Sequence, residues 1–326
     1  MTGVIRGTGS CVPSYIIDNN ALSQFVDTSD EWISERTGVK RRHIAAKETT
    51  VSMAAEAGRR ALESAGLSAE ELDLILVSTI SSDVILPCAA CEVQKELGAS
   101  NATCFDLNGA CTGFVLAYNT ANAYLAGGIC KNALIIGSEC LSNLTNWHDR
   151  GTCILFGDGA GAALLQGVEG RTYRPVTHSD GEKGSALTLK SRHDCNGITK
   201  EINPLSMTDD AYFMQMDGQS VFKFAVRKVP EAIREVLDIN SIRQEDVTWY
   251  VMHQANRRIV ESVAKKLNEP LEKFPMNLQE YGNTSSASIP LLLDEMNRKG
   301  MLRSGDLIVL AGFGAGLTWG ATILQW

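Results

Sequence analysis

Four stretches of this 326-residue chain are apolar almost without a break: Leu72–Thr79 (LDLILVST), Asn132–Gly137 (NALIIG), Val247–Met252 (VTWYVM) and Asp306–Ala311 (DLIVLA). Runs of this length, rich in Val, Ile and Leu, predict strands covered on both faces, as in a largely parallel sheet flanked by helices. Helical periodicity fills the intervals. Val51–Ala65 places Val51, Ala54, Ala55, Ala61, Leu62 and Ala65 on one face and stops at Gly66. Ile259, Val260, Val263, Ala264 and Leu267 repeat the pattern, and Ser288-Ile289-Pro290 reads as a cap followed by an early-turn proline. Pro230, inside the helical Val221–Leu237 pattern, predicts a kink or a break. The predicted class is α/β.

The pattern also repeats. Leu67–Asp73 (LSAEELD) before the first strand resembles Ile242–Val247 (IRQEDV) before the third, and NALIIG and DLIVLA follow at a similar offset of 175 residues. One layered α/β unit duplicated in tandem would produce this, with the polar segment Gly167–Asp210 carrying the excursion between halves. The alternative is chance similarity between α/β segments.

A hydrophobic content of 44% and a charged content of 21% fit a globular chain with a substantial core, and a net charge of −8 argues against general nucleic-acid binding. Met1–Pro13 has no apolar run of the signal-peptide kind, and the apolar stretch 110–128 is interrupted by Thr112, Asn119, Thr120 and Asn122, as in a buried helix rather than a membrane span. A cytoplasmic location is the resulting expectation. The nine cysteines are scattered and odd in number, which suits free thiols. Cys88 and Cys91 form a C-x-x-C, but zinc would need a second such pair, and a buried structural role outweighs a redox one.

Four stretches could carry chemistry. In Asp106–Phe114 (DLNGACTGF) a short strand runs through small residues into Cys111 and then a long apolar helix; a thiol at a helix N-terminus is drawn toward the nucleophilic thiolate, and thiolates exchange with thioesters. Read alone, a buried cysteine at a tight turn explains the stretch equally well. His253-Gln254-Ala255-Asn256 follows the strand VTWYVM; a neutral imidazole opening a helix would donate from Nε2, though a core histidine is the commoner case. Gly282–Ser288 (GNTSSAS) reads as a loop and cap, in which Asn283 offers an amide donor for a developing oxyanion. Gly312–Gly320 (GFGAGLTWG) lacks the G-x-x-x-x-G-K-[ST] pattern, so a nucleotide loop is not expected there, nor at Gly157–Gly161 (GDGAG).

Taken together and in order, these stretches resemble the thiolase superfamily, and within it the β-ketoacyl-acyl-carrier-protein synthase III family. The resemblance covers nearly the whole chain and includes Asp30–Ile33 (DEWI), Glu35–Gly38 (ERTG), the Cys111 turn, Asp149–Thr152 (DRGT), Phe156–Gly161 (FGDGAG), HQAN, GNTSS and Phe313–Gly320. It implies two duplicated α/β halves in an αβαβα arrangement, residues 1–170 carrying Cys111 and residues 171–326 carrying His253 and Asn283. A Cys–His–Asn set is similar to the initiating subclass, whereas elongating relatives use Cys–His–His. A polyketide, quinolone or long-chain ketone enzyme with the same triad is the alternative.

The family's chemistry implies an acyltransferase needing no metal or redox cofactor. Cys111 would take an acyl group from acyl-CoA. Malonyl-acyl carrier protein would then lose carbon dioxide, with His253 and Asn283 donating to its thioester oxygen. Backbone N–H groups of Cys111 and Ala315 would form the oxyanion hole. By the same resemblance Trp32 would stack on adenine, with Arg36 and Arg150 as cationic contacts, and Gly218, Phe222, Ala255 and Asn256 would line the pantetheine channel. Gln254, Ala255, Asn256, Arg257, Arg258, Lys223, Lys265 and Lys266 would dock the acidic carrier protein. A homodimer is implied, with Leu86 reaching from the partner to the floor of the acyl pocket. Three departures stand out: Ala315 where many relatives have Gly, Gln219 where some have Asn, and Leu86 where some have Phe. The smaller Leu86 predicts primers longer or more branched than acetyl-CoA.

Overall fold

The computed structural model describes residues 1–190 and 212–326; of the segment Gly167–Asp210, positions 191–210 therefore lie outside the described residues. In chain order the strands are β1 (Thr2–Cys11), β2 (Tyr15–Asp18), β3 (Arg41–Ile44), β4 (Leu74–Ser78), β5 (Thr103–Leu107), β6 (Asn132–Glu139), β7 (Gly159–Val168), β8 (Val176–Ser179), β9 (Leu187–Thr188), β10 (Gln215–Met216), β11 (Trp249–Met252), β12 (Leu307–Gly314) and β13 (Thr318–Gln325). The helices are α1 (Asn19–Leu22), α2 (Asp30–Thr37), α3 (Thr50–Ala65), α4 (Ala89–Leu97), α5 (Gly113–Ala126), α6 (Arg150–Cys153), α7 (Gly218–Ile239), α8 (Arg257–Leu267), α9 (Leu278–Tyr281) and α10 (Ser288–Arg298).

Two sheets organise the molecule. The first has the order β1-β7-β6-β4-β5 and the second β11-β12-β13-β8. In each, a parallel pair (β4 with β6, β11 with β12) continues through two antiparallel partners (β7 and β1; β13 and β8), and in the first sheet β5 adds a second parallel neighbour to β4. The four apolar runs are β4, β6, β11 and β12, and their side chains alternate between two buried faces. Leu74 and Leu76 point into the layer holding α5 and α10, while Ile75 and Val77 face α3 and α4. Val251 and Leu310 share that middle layer, whereas Tyr250, Met252 and Val309 pack under α7 and α8. The layers are thus α3/α4, first sheet, α5/α10, second sheet, α7/α8. Helix α5 carries no charged residue because both of its faces meet a sheet.

The chain runs as helix through Pro230, so of the kink or break expected there the break does not occur. The pyrrolidine is buried with Val229, Ala232 and Ile233 along the long apolar face of α7, and that packing outweighs a local cost of about 3 kcal/mol.

Candidate active site

Cys111 lies in a single 3₁₀ turn, Ala110–Thr112, between the end of β5 and the start of α5. Ala110 is held at φ 45°, a left-handed conformation costly for a residue with a Cβ. Beside Cys111, Ser285 is held at φ 49°, and its Oγ lies 3.5 Å from Cys111 Sγ. The two strained positions are 175 residues apart, the offset of the sequence repeat. β12 closes the third side: a Cβ on Gly314 would sit 2.7 Å from that of Cys111, so only glycine lets the strand pass. Burial pushes the Cys111 thiol up to about 12, and the Ser285 hydroxyl bond offsets this only in part. The thiolate expected from the helix dipole is therefore not the resting form: burial wins.

His253 follows β11 directly, its backbone N–H bonded to Ala311 O at 2.9 Å, and α8 begins only at Arg257. The ring is buried, stands edge-on to Phe313 with centroids 5.1 Å apart, and places Nδ1 2.7 Å from Ser288 Oγ. Desolvation lowers its pKa to about 3, so the imidazole is neutral, as expected, but through burial rather than a helix terminus.

Asn283 is fixed by its backbone. It forms a parallel bridge with Phe156, donating to Leu155 O at 2.8 Å and accepting from Gly157 N at 3.0 Å. The preceding Gly282, at φ 68°, leaves only 2.6 Å between an added Cβ and Leu155 O, which is why GNTSS and FGDGAG require glycines where they touch. Asn283 Oδ1 accepts the Ser285 N–H at 2.9 Å, so its amide N–H₂ is the end that can donate into the cavity.

One cavity brings these three residues together with Gly218, Phe222, Ala255 and Asn256, the positions expected along the pantetheine channel. A second, almost wholly apolar cavity lies on the other side of Cys111 and is walled by Ile80, Leu141, Phe156, Leu187, Leu189 and Met214, with Ala315 at its edge. Of the six apolar wall residues only Phe156, in FGDGAG, belongs to a motif singled out in the sequence. Leu86 does not line that cavity in its own chain; it is 85% exposed, beside exposed Val84 and Ile85. At the surface, the guanidinium groups of Arg36 and Arg150 lie over the Trp32 ring, 4.8 and 4.9 Å from its centroid.

The docking residues divide. Arg257, Arg258, Lys265, Lys266 and Lys223 are exposed, with Arg257 3.4 Å from Glu261 and Arg258 3.8 Å from Glu35. Gln254 corrects the expectation: it is 1% exposed, its Nε2 donating to Met252 O and its Oε1 accepting from Asn277 N, so its side chain has no surface to offer a partner. Asn256 is only half-buried, but its amide is engaged at both ends, capping α8 at Arg258 N and donating to Arg36 O. Cys88 and Cys91 are unbridged, with Sγ atoms 3.5 Å apart at the start of α4. Among the described residues no group of three His, Cys, Asp or Glu side chains could hold a metal ion, and no helix is long and apolar enough to cross a membrane.

Comparison with known proteins agrees with this geometry. Residues 105–181 match the model for 3-oxoacyl-[acyl-carrier-protein (ACP)] synthase III, and residues 237–326 match its C-terminal model. The chain is 47% identical to the β-ketoacyl-[acyl-carrier-protein] synthase III of Clostridium acetobutylicum, over 99% of this chain and 98% of that one. Its structure is similar to that of 3-oxoacyl-[acyl-carrier-protein] synthase III from Aquifex aeolicus, with a TM-score of 0.91 and 41% identity over 99% and 100% of the two chains. It is also similar to the priming β-ketosynthase of the R1128 polyketide pathway, at a TM-score of 0.92 and 34% identity over 99% and 96%. With a thiolase-like double sheet, a buried Cys–His–Asn cavity and relatives matched end to end, the chain belongs to the β-ketoacyl-acyl-carrier-protein synthase III family.

Proposed function

We propose that this chain condenses an acyl group from acyl-CoA with malonyl-acyl carrier protein, giving a 3-oxoacyl-acyl carrier protein and starting fatty-acid synthesis. The observation that carries the reading is the pair of cavities meeting at Cys111, a channel with polar donors on one side and an apolar chamber on the other. In the first stage Cys111 Sγ bonds to the acyl carbon and the C–S bond to coenzyme A breaks, coenzyme A leaving as its thiol. The proton lost from Cys111 leaves with coenzyme A as its thiol, so the exchange consumes no net proton, and the attacking species is the thiolate fraction drawn from the neutral resting thiol. The acyl chain enters the apolar chamber, and the backbone N–H groups of Cys111 and Ala315 hold the tetrahedral oxyanion.

In the second stage malonyl-acyl carrier protein loses carbon dioxide, and His253 Nε2–H and the Asn283 amide donate to its thioester oxygen. A neutral donor stabilises an enolate without giving up its proton, and burial supplies that neutrality. The resulting carbanion attacks the acyl carbon, and Cys111 leaves as the thiolate. The Trp32 ring with Arg36 and Arg150 would take the adenine end of coenzyme A, and the exposed Arg257, Arg258, Lys265, Lys266 and Lys223 would face the acidic carrier protein.

The same reading takes the halves as 1–170 and 171–326, supported by the repeated strand order. It takes the assembly as a homodimer, supported by the edge of β5, unpaired among the described residues, and by the exposed Val84-Ile85-Leu86, and the compartment as cytoplasmic, which suits free thiols. The chemistry of the active site needs no metal ion.

The test is product formation. Acyl-CoA and malonyl-acyl carrier protein should give 3-oxoacyl-acyl carrier protein, and Cys111→Ser should abolish it; a Cys111→Ser protein condensing at full rate would refute the reading. Acetyl-, isobutyryl- and hexanoyl-CoA should all prime, the longer two through the room left by Leu86, and strict acetyl preference would remove that part.

A further inference from the structure

His253 has one ring nitrogen already committed. Its Nδ1 lies 2.7 Å from Ser288 Oγ, and that oxygen also accepts the backbone N–H of Gln254 at 3.3 Å. Both side chains are buried, at 1% and 2% exposure. A neutral imidazole carries one N–H and one bare nitrogen, and the partner at one end decides which is which. The serine hydroxyl has one hydrogen. Among the described residues Nδ1 is the sole acceptor it meets, since the Gln254 contact already uses Oγ as an acceptor. If the ring proton sat on Nδ1, the buried hydroxyl hydrogen would have no partner, an arrangement proteins avoid. We infer that Ser288 is a positioning residue: its Oγ–H donates to Nδ1, fixes the proton of His253 on Nε2 and turns that N–H toward the cavity.

The fold explains why the contact exists. Ser288 opens α10 as Gly113 opens α5, and His253 follows β11 as Ser78 ends β4, each pair 175 residues apart. In the first half the same two places also collide: a Cβ on Gly113 would lie 1.8 Å from Ser78 Oγ. Topology therefore presses the first residue of the central helix against the end of the parallel strand in both halves. Only in the second half does that contact join a hydroxyl to an imidazole and so set a proton.

This inference rests on the reading of His253 as a donor to the malonyl thioester, and its test separates the two. In protein labelled with ¹⁵N-histidine and assigned with His253→Ala, His253 should show a bare Nδ1 and a protonated Nε2; a proton on Nδ1 overturns the inference without any variant. Ser288→Ala should lower kcat for decarboxylation of malonyl-acyl carrier protein by roughly tenfold to a hundredfold, the scale of a misplaced catalytic group, with KM nearly unchanged. Acylation of Cys111 by acyl-CoA should keep its rate, and Ser288→Thr, which retains the hydroxyl, should restore most of the loss. Equal loss of acylation and decarboxylation in Ser288→Ala, or an unchanged tautomer with unchanged kcat, overturns the role. If His253→Ala itself decarboxylates at the wild-type rate, the donor reading fails, while the tautomer measurement still decides what Ser288 does to the ring.

Discussion

At the scale of single residues, one physical cause acts on both members of the site. Desolvation disfavours charge, so it raises the Cys111 thiol and lowers the His253 imidazole. The resting pair is thiol and neutral imidazole, not the thiolate–imidazolium pair on which cysteine hydrolases depend. Two outcomes follow. Alkylation of Cys111 by iodoacetamide should rise about tenfold per pH unit from pH 6 to 9 without levelling, because its pKa lies above that window; a plateau below pH 8 would contradict this. Decarboxylation should show no inflection near 6.5 between pH 5 and 8, since His253 stays neutral throughout, and a fall in rate as pH drops through 6.5 would mean that the ring protonates. Taken singly, Cys111 reads equally well as a buried structural cysteine, and His253 and Asn283 lean structural; their joint, ordered match to one family's motifs is what singles them out in the sequence. Ser288 was not read as part of the site, although it stands in the same GNTSSAS stretch. Its role depends on a contact between segments 35 residues apart in sequence, and aligning it with Gly113 through the repeat would have been the one signal pointing to it.

At the scale of elements, the site is made by close passage of backbones. β12 passes Cys111 at Gly314, and the 155–157 segment is joined to Asn283 through Gly157 and Gly282. Gly314→Ala would put two Cβ atoms 2.7 Å apart on backbones that neither strand nor buried helix lets move. Acylation of Cys111, followed as adduct per protein, should fall at least about tenfold while the far-ultraviolet circular dichroism is retained. The strands that frame these passages were readable from composition, since a run such as LDLILVST has no polar face to expose. Two features were not. Gln254 is internal because Met252 O and Asn277 N bind its amide, contacts that no local pattern encodes. α7 survives Pro230 because its buried face is long enough to hold it. The apolar chamber draws its walls from widely separated segments, so its shape is a property of the fold and not of any one motif.

At the scale of the molecule, duplication puts two equivalent strand ends and two central helices around one cavity, and the halves have diverged in what they contribute. In the proposed reaction the first supplies the nucleophile on its helix turn, and the second supplies the imidazole on its strand end. The 175-residue offset seen in short sequence echoes reappears in the two strained turns at Ala110 and Ser285. Charge acts at this scale too. The chain is acidic overall at −8, whereas α8 exposes Arg257, Arg258, Lys265 and Lys266, the surface proposed to meet an acidic carrier protein. Arg258→Glu with Lys266→Glu should raise KM for malonyl-acyl carrier protein roughly tenfold, steeply dependent on salt, and leave acylation by acyl-CoA unchanged. A matching loss with acyl-CoA would mean that these residues do not distinguish the two partners.

The central claim is that one thiol carries the acyl group between two substrates. Intact-protein mass spectrometry followed by peptide mapping tests it most directly. Incubation with an acyl-CoA should add one acyl mass per chain, located on Cys111, and addition of malonyl-acyl carrier protein should discharge it as 3-oxoacyl-acyl carrier protein. An adduct on another residue, or an acyl-Cys111 that malonyl-acyl carrier protein leaves untouched, would contradict the account.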